Sequence, residues 1–247
     1  MSRRFRPVGR REPEAVGTKT KKEPEAAAAT ATGPGAATQL TPGARRILDA
    51  ASTLFYERGI TAVGVDLIAK EAGTTKKTLY DRFGGKDALI TAYLHERDLR
   101  WRAWLTSWVD THAAGGGQSG AGEPLLATFD ALAEWMRQHN PRGCGFVNAA
   151  AELPDPAHPA RRVITEQKRW LRGYLYELSV AAGAHDPDEL ADGLALLHEG
   201  AVVLRGLSVV DDPVGAARAL AAQTLERALT PPCAAGPPVA DTPPHGR

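Results

Sequence analysis

Residues 65–83 read Val65-Asp66-Leu67-Ile68-Ala69-Lys70-Glu71-Ala72-Gly73-Thr74-Thr75-Lys76-Lys77-Thr78-Leu79-Tyr80-Asp81-Arg82-Phe83. Apolar residues at 65, 68, 69 and 72 keep helical spacing up to Gly73, and Leu79 and Phe83 resume it up to Gly84-Gly85. Two short helices joined by a turn of three or four residues follow from this pattern. Ala69 is small where the second helix must pack closely on the third. Gly73 takes the left-handed conformation that ends a helix sharply. The spacing therefore predicts a helix-turn-helix.

The third helix uses Leu79 and Phe83 to hold itself down and leaves Lys76, Lys77, Thr78, Tyr80, Asp81 and Arg82 exposed. In a helix-turn-helix the N-terminal part of this helix enters the major groove. There Lys76, Lys77 and Thr78 reach base edges or phosphates. Tyr80 and Arg82 bond to the sugar-phosphate backbone, which sets register without reading sequence. Lys86, at the start of the next helix, holds a phosphate by charge and helix dipole together. With the turn residues Thr74 and Thr75, the expected DNA-contacting set is Thr74, Thr75, Lys76, Lys77, Thr78, Tyr80, Arg82 and Lys86.

Working outward, the chain reads as helical almost throughout. The first helix opens on Thr41-Pro42, an N-cap followed by proline at N1, and its stripe of Ile47, Ala51, Leu54 and Phe55 ends at Gly59. A fourth helix starts near Lys86-Asp87 and carries Ile90, Tyr93, Leu94, Arg97, Trp101, Trp104, Leu105 and Trp108 at helical spacing. Further helices are expected at roughly 123–138, 144–152, 157–182, 187–208 and 213–229, the fourth of these opening on Asp186-Pro187-Asp188-Glu189. The fold class is all-α: a three-helix DNA-binding head with its helix-turn-helix at 41–88, and a larger helical domain at 89–229 for effector binding and dimerisation. Residues 1–40 and 230–247 lack a hydrophobic period and read as disordered tails, the first basic and the second proline-rich, and 115–122 as a glycine-rich loop.

Charge follows the same division. Net charge is +1, but residues 1–40 hold eight Lys and Arg against four Glu, residues 41–90 hold eight against six acids, and the remainder holds fourteen against nineteen. A basic reading end on an acidic remainder suits a DNA-binding chain. Cys144 and Cys233 form no CxxC or Cys-His cluster, so neither a disulfide scaffold nor a structural zinc is expected, and His95, His139, His158, His185 and His198 have no metal spacing. No metal and no cofactor are expected. No apolar run approaches the roughly 18 residues that span a bilayer. The opening Ser2-Arg3-Arg4 has no apolar h-region behind it, so a cytoplasmic protein is expected.

The segment Gly59–Leu89, and above all the Leu-Tyr-x-x-Phe-x-x-Lys-x-x-Leu run at 79–89, resembles the N-terminal domain of TetR/AcrR-type regulators, with the close match covering about residues 43–95. The resemblance implies an all-helical homodimer whose larger domain binds a small effector. It also matches Thr75, Lys76, Thr78, Tyr80 and Lys86 to DNA-contacting positions. Three residues depart from the family pattern. Gly64 replaces a capping Ser or Thr, Lys77 replaces a small residue, and Arg82 replaces an aromatic or His. The expected function is a ligand-responsive regulator, a repressor by family weight, binding a roughly palindromic double-stranded operator as a homodimer.

Beyond residue 95 the residues say less. Trp104, Trp108, Phe129, Trp135, Cys144, Phe146 and Trp170 are candidates to line an effector pocket, or else ordinary core. The helix at 187–208 is apolar on nearly every side and must be covered all round. Leu197, Ala201, Leu204, Ala217, Leu220 and Ala221 are the expected dimer interface. Cys144, flanked by glycines, reads either as a redox or electrophile sensor or as a small buried hydrophobe. An enzyme on the C-terminal helices is the remaining alternative. No catalytic residue supports it, because neither paired carboxylates, a Ser-His-Asp set nor a phosphate-cradling loop is present.

Overall fold

The computed structural model describes residues 40–113, 120–139 and 142–230. The expectations for residues 1–39 and 231–247, for the glycine-rich stretch at 114–119 and for Cys233 lie outside them. The described residues form α1 (Pro42–Arg58), α2 (Val65–Glu71), α3 (Lys76–Phe83), α4 (Lys86–Ala113), α5 (Glu123–His139), α6 (Gly145–Glu152), α7 (Pro159–Ala181), α8 (Pro187–Leu207) and α9 (Pro213–Leu229), with no strand among them.

Local chemistry sets most of these boundaries. The Thr41 hydroxyl accepts from the Ala44 N–H, and the Asp186 and Asp212 carboxylates accept from the N–H groups of Glu189 and Gly215, each cap followed by proline. α2 ends in a double closure: Gly73 N–H donates to the Lys70 carbonyl and Thr74 N–H to that of Ala69, with Gly73 at φ +60°. Gly64 begins α2 without a side-chain cap, as its lack of a hydroxyl requires.

Two apolar clusters organise the chain. One joins α1–α3 to Leu89, Ile90, Tyr93 and Leu94 of α4 and recruits Phe146, Ala149 and Leu153 from α6 and its end. The other gathers Trp101, Leu105 and Val109 of α4 with α5, α7, α8 and α9. The 28 residues of α4, about 42 Å at helical rise, therefore belong to both. The head is not closed at residue 88: its core takes in the first two turns of α4 and part of α6. Cys144 packs against both clusters.

The expected dimer face requires correction. Ala201, Ala217 and Ala221 are buried inside the protomer, where small side chains let α8 and α9 pack closely on their own core, and Leu197 is half-buried against that core. Leu204 and Leu220 are exposed. Beside them Leu196, Val203 and Leu207 form an exposed stripe along α8 at spacings of seven and four residues, with Leu196 74% exposed.

Candidate functional site

The three-helix head presents α3 by its N-terminal half. Thr75 caps the helix: its hydroxyl accepts from the Thr78 N–H at 3.1 Å and shares a hydrogen bond with the Thr78 hydroxyl at 2.9 Å. Leu79 lies fully buried beneath and fixes the helix against α1 and α4. Lys76, Lys77, Tyr80 and Arg82 are exposed, while Thr78 and Lys86 are half-exposed. Lys76 pairs with Asp66 at 3.1 Å and Lys77 with Asp81 at 2.8 Å. Such exposed pairs contribute at most about 1 kcal/mol, so a phosphate can displace either carboxylate. Thr74 leaves the presented set. Its hydroxyl oxygen is sealed from solvent and its N–H closes α2, so it shapes the turn.

The second feature is a cleft between α4, α5, α6, α7 and α8. Of the aromatic residues expected there, Trp135 and Phe146 line it, as does Cys144; Trp104, Trp108, Phe129 and Trp170 do not. The reasons are visible in their contacts. The Trp104 indole N–H donates to the Ala131 carbonyl at 3.2 Å, and Trp108 stacks on His112 at 4.1 Å. Trp170 stacks on Tyr174 under the Arg102 guanidinium, and Phe129 is fully buried against the ring of His198. Trp101, edge-on to Trp135 at 5.4 Å, lines the cleft instead.

Its polar lining escaped sequence reading: Arg97, Gln167, Lys168, His198 and Glu199. Lys168 Nζ donates to Glu199 at 2.7 Å and to the Cys144 sulfur at 3.4 Å. Burial alone would lower the Lys168 pKa, but the Cys144 sulfur and the Glu199 carboxylate outweigh it and leave the pKa raised, so the ammonium persists. His198 is pushed down to about 3, chiefly by burial and then by the Lys168 charge. Thr128 donates its hydroxyl proton to the Leu125 carbonyl and lies 2.9 Å from His198 Nε2, so Nε2 carries the proton of a neutral ring. Gln167 is 3% exposed, and its Oε1 has no hydrogen-bond partner. The available signal was a polar residue set on an otherwise apolar helical stripe, as Gln167 and His198 both are.

One segment joins cleft and head. Cys144, Gly145 and Phe146 line the cleft, and the same segment reaches the C-terminal end of α1. The Tyr56 hydroxyl accepts from the Arg142 N–H at 3.0 Å and donates to the Gly143 carbonyl at 3.1 Å. The Arg142 guanidinium donates to the carbonyls of Tyr56 and Glu57 at 2.8 and 2.5 Å, neutralising the negative end of that helix. Arg97, from the cleft, lies over the Tyr56 ring at 4.5 Å. At the far end of α6 the Glu152 carboxylate accepts from the Thr61 N–H at 2.7 Å. Gly59, at φ +90°, leaves it room, since a Cβ there would stand 3.1 Å from both carboxylate oxygens.

No group of three or more His, Cys, Asp or Glu side chains suited to a metal ion occurs among the described residues. No helix among them is long and apolar enough to cross a membrane.

Comparison with known proteins agrees with this architecture. The family described as "Bacterial regulatory proteins, tetR family" matches residues 47–93. The transcriptional regulator AcuR of Cereibacter sphaeroides is 30% identical over 170 residues, covering 64% of this chain and 74% of that protein. The HTH-type transcriptional regulator YjdC of Escherichia coli K12 is 26% identical over 157 residues, 62% of this chain and 78% of its own. The crystal structure of SCO4454, a TetR-family transcriptional regulator from Streptomyces coelicolor, superposes with a TM-score of 0.68 at 33% identity, covering 77% of this chain and 98% of that one. Identity at that level over nearly the whole of a solved regulator, with a helix-turn-helix head on a helical second domain, means that this chain belongs to the TetR family of transcriptional regulators.

Proposed function

We propose that the chain is a cytoplasmic, effector-responsive repressor that binds a roughly palindromic operator as a homodimer. The observation that carries the responsive part is the shared segment: residues 142–146 touch both the cleft and the end of α1, so a ligand that moves them also moves the head. The exposed cationic half of α3 supports DNA reading, with Lys76, Lys77 and Thr78 towards the bases and Tyr80, Arg82 and Lys86 towards the backbone. Thr75 acts by capping that helix. The exposed stripe of Leu196, Val203 and Leu207 on α8, with Leu204 and Leu220, supports pairing with a second copy. The two recognition helices then lie about one DNA turn, ~34–36 Å, apart.

The test is a gel shift on DNA upstream of the protein's own gene, with Lys76→Ala and Tyr80→Ala beside the wild type. Specific binding by the wild type alone is expected. Equal binding by both variants would remove α3 as the reading element, and a monomer at micromolar concentration would remove the palindrome.

A second reading is favoured by one contact, Lys168 Nζ at 3.4 Å from the Cys144 sulfur. Cys144, half-buried beside that ammonium and lining the cleft, is placed to meet an electrophile that enters it, so Cys144 would sense electrophiles. Release of operator by an electrophile from the wild type but not from Cys144→Ser is its signature.

A further inference from the structure

The two lysines that open α3 each carry a counter-ion. Lys76 Nζ stands 3.1 Å from Asp66 of α2, an ion pair that bridges the two helices of the helix-turn-helix. Lys77 Nζ stands 2.8 Å from Asp81, one turn further along α3. The side chains of Asp66 and Asp81 are 77% and 56% exposed, so neither is there to balance a buried cation. Residues 65–83 hold four Lys and Arg against three Asp and Glu, which leaves a segment that must meet a polyanion nearly neutral.

The pairing affects the two kinds of DNA contact differently. An ammonium has three N–H donors. It can give one to a neutral base acceptor, such as guanine O6 or N7, and keep its carboxylate. A phosphate is an anion. A lysine that meets one must leave its carboxylate or bring two like charges together. Contacts to phosphate, which every sequence offers, are therefore weakened more than contacts to base edges, which differ between sequences.

Resting on the DNA-reading role of α3 above, we propose that Asp66 and Asp81 set specificity: by pairing with Lys76 and Lys77 they hold down the affinity of the head for DNA of unselected sequence. Neither carboxylate has to touch DNA. Both are positioning residues, Asp66 acting through Lys76 and Asp81 through Lys77. Asp66 also lies in the first turn of α2, where a negative charge suits the helix dipole. That role bears on stability and does not alter the salt dependence of DNA binding.

The test is fluorescence anisotropy with the full-length protein on a labelled duplex of mixed sequence, between about 50 and 200 mM salt. Asp66→Asn and Asp81→Asn should each bind up to about fivefold more tightly at low salt, the factor that an exposed ion pair is worth. Each should also steepen the slope of log K against log salt by about 0.9, for one further phosphate neutralised. In a Lys76→Ala background, Asp66→Asn should leave the slope where Lys76→Ala alone puts it. Asp192→Asn, which frees one carboxylate partner of Arg172 on α8, makes the same change in net charge and should keep the wild-type slope. On a duplex that the wild type selects from a random library, the gain from either aspartate variant should be smaller than on the mixed duplex, so selectivity falls. An unchanged slope in either aspartate variant, an equal steepening by Asp66→Asn without Lys76 or by Asp192→Asn, or equal gains on both duplexes would each overturn the inference and leave DNA reading by α3 standing. A wild type that enriches no sequence from the library would remove the DNA-reading role, and the inference with it.

Discussion

Tyr56→Phe removes one oxygen from the junction between cleft and head. That hydroxyl accepts from the Arg142 N–H at 3.0 Å and donates to the Gly143 carbonyl at 3.1 Å. Phenylalanine keeps the ring, and with it the surface on which Arg97 rests at 4.5 Å. Two neutral hydrogen bonds are lost, each with a net value of about 0.5–1.5 kcal/mol. Gly143 is buried, so water replaces its lost partner poorly. The expected destabilisation is about 1–3 kcal/mol, which for a chain of this size lowers Tm by roughly 3–10 °C. Burial raises the Tyr56 pKa above its ordinary value, so the hydroxyl is a neutral donor at physiological pH. Its contribution is complete below about pH 10 and is lost as pH rises through the raised value. The functional assay is operator affinity with and without effector. Allosteric couplings of this kind are about 1–3 kcal/mol, and the variant should lose a large part of whatever the wild type shows. An unchanged Tm would refute the bonding argument. A lowered Tm with undiminished effector-induced release would show that the junction holds the fold together without transmitting the signal.

Three further outcomes are expected. His198, held neutral with a pKa near 3, resists protonation when folded and accepts it when unfolded. Its contribution is present above about pH 6.5 and is lost as pH falls towards 3; stability should be about 2 kcal/mol lower at pH 5 than at pH 7 from this residue. Denaturant midpoints of wild type and His198→Asn at the two pH values check it, and parallel pH dependences would argue against it. Thr75→Ala removes the α3 cap and should cost about 1 kcal/mol of stability, together with weaker operator binding by gel shift; full operator affinity would show that the start of α3 needs no cap. Leu79→Ala, at a fully buried position, should cost about 2–5 kcal/mol, and a thermal melt within 1 °C of wild type would contradict the packing described for the head.

Much of the architecture was legible because its signals are local. Thr41-Pro42, Asp186-Pro187 and Asp212-Pro213 start helices through hydrogen bonds that span three residues, and Gly59, Gly73 and Gly84 end them through a backbone conformation that one residue can adopt. Leu79 and Phe83 showed which side of α3 faces inward, and so left Lys76, Lys77, Tyr80 and Arg82 outside. Thr74 was misjudged within this same motif, because whether a turn hydroxyl faces solvent depends on the packing around it.

The second domain shows the opposite case. Helical periodicity identifies an apolar stripe but not the stripe it meets. Trp104 and Trp101 lie three residues apart on α4, and only the positions of α5 and α7 decide that Trp101 lines the cleft while Trp104 bonds to Ala131. Ala201, Ala217 and Ala221 were expected at a dimer face, but they are buried where α8 and α9 pack on the core of one protomer. Lys168, 24 residues from Cys144, and Tyr56, 86 residues from Arg142, meet only through the fold. The sequence by itself therefore determined the helices, their caps and the exposed face of α3, since these rest on interactions within a few residues. The cleft, its charge and its junction with the head were decided by tertiary structure alone, because they depend on which helix faces pack together across long separations in the chain.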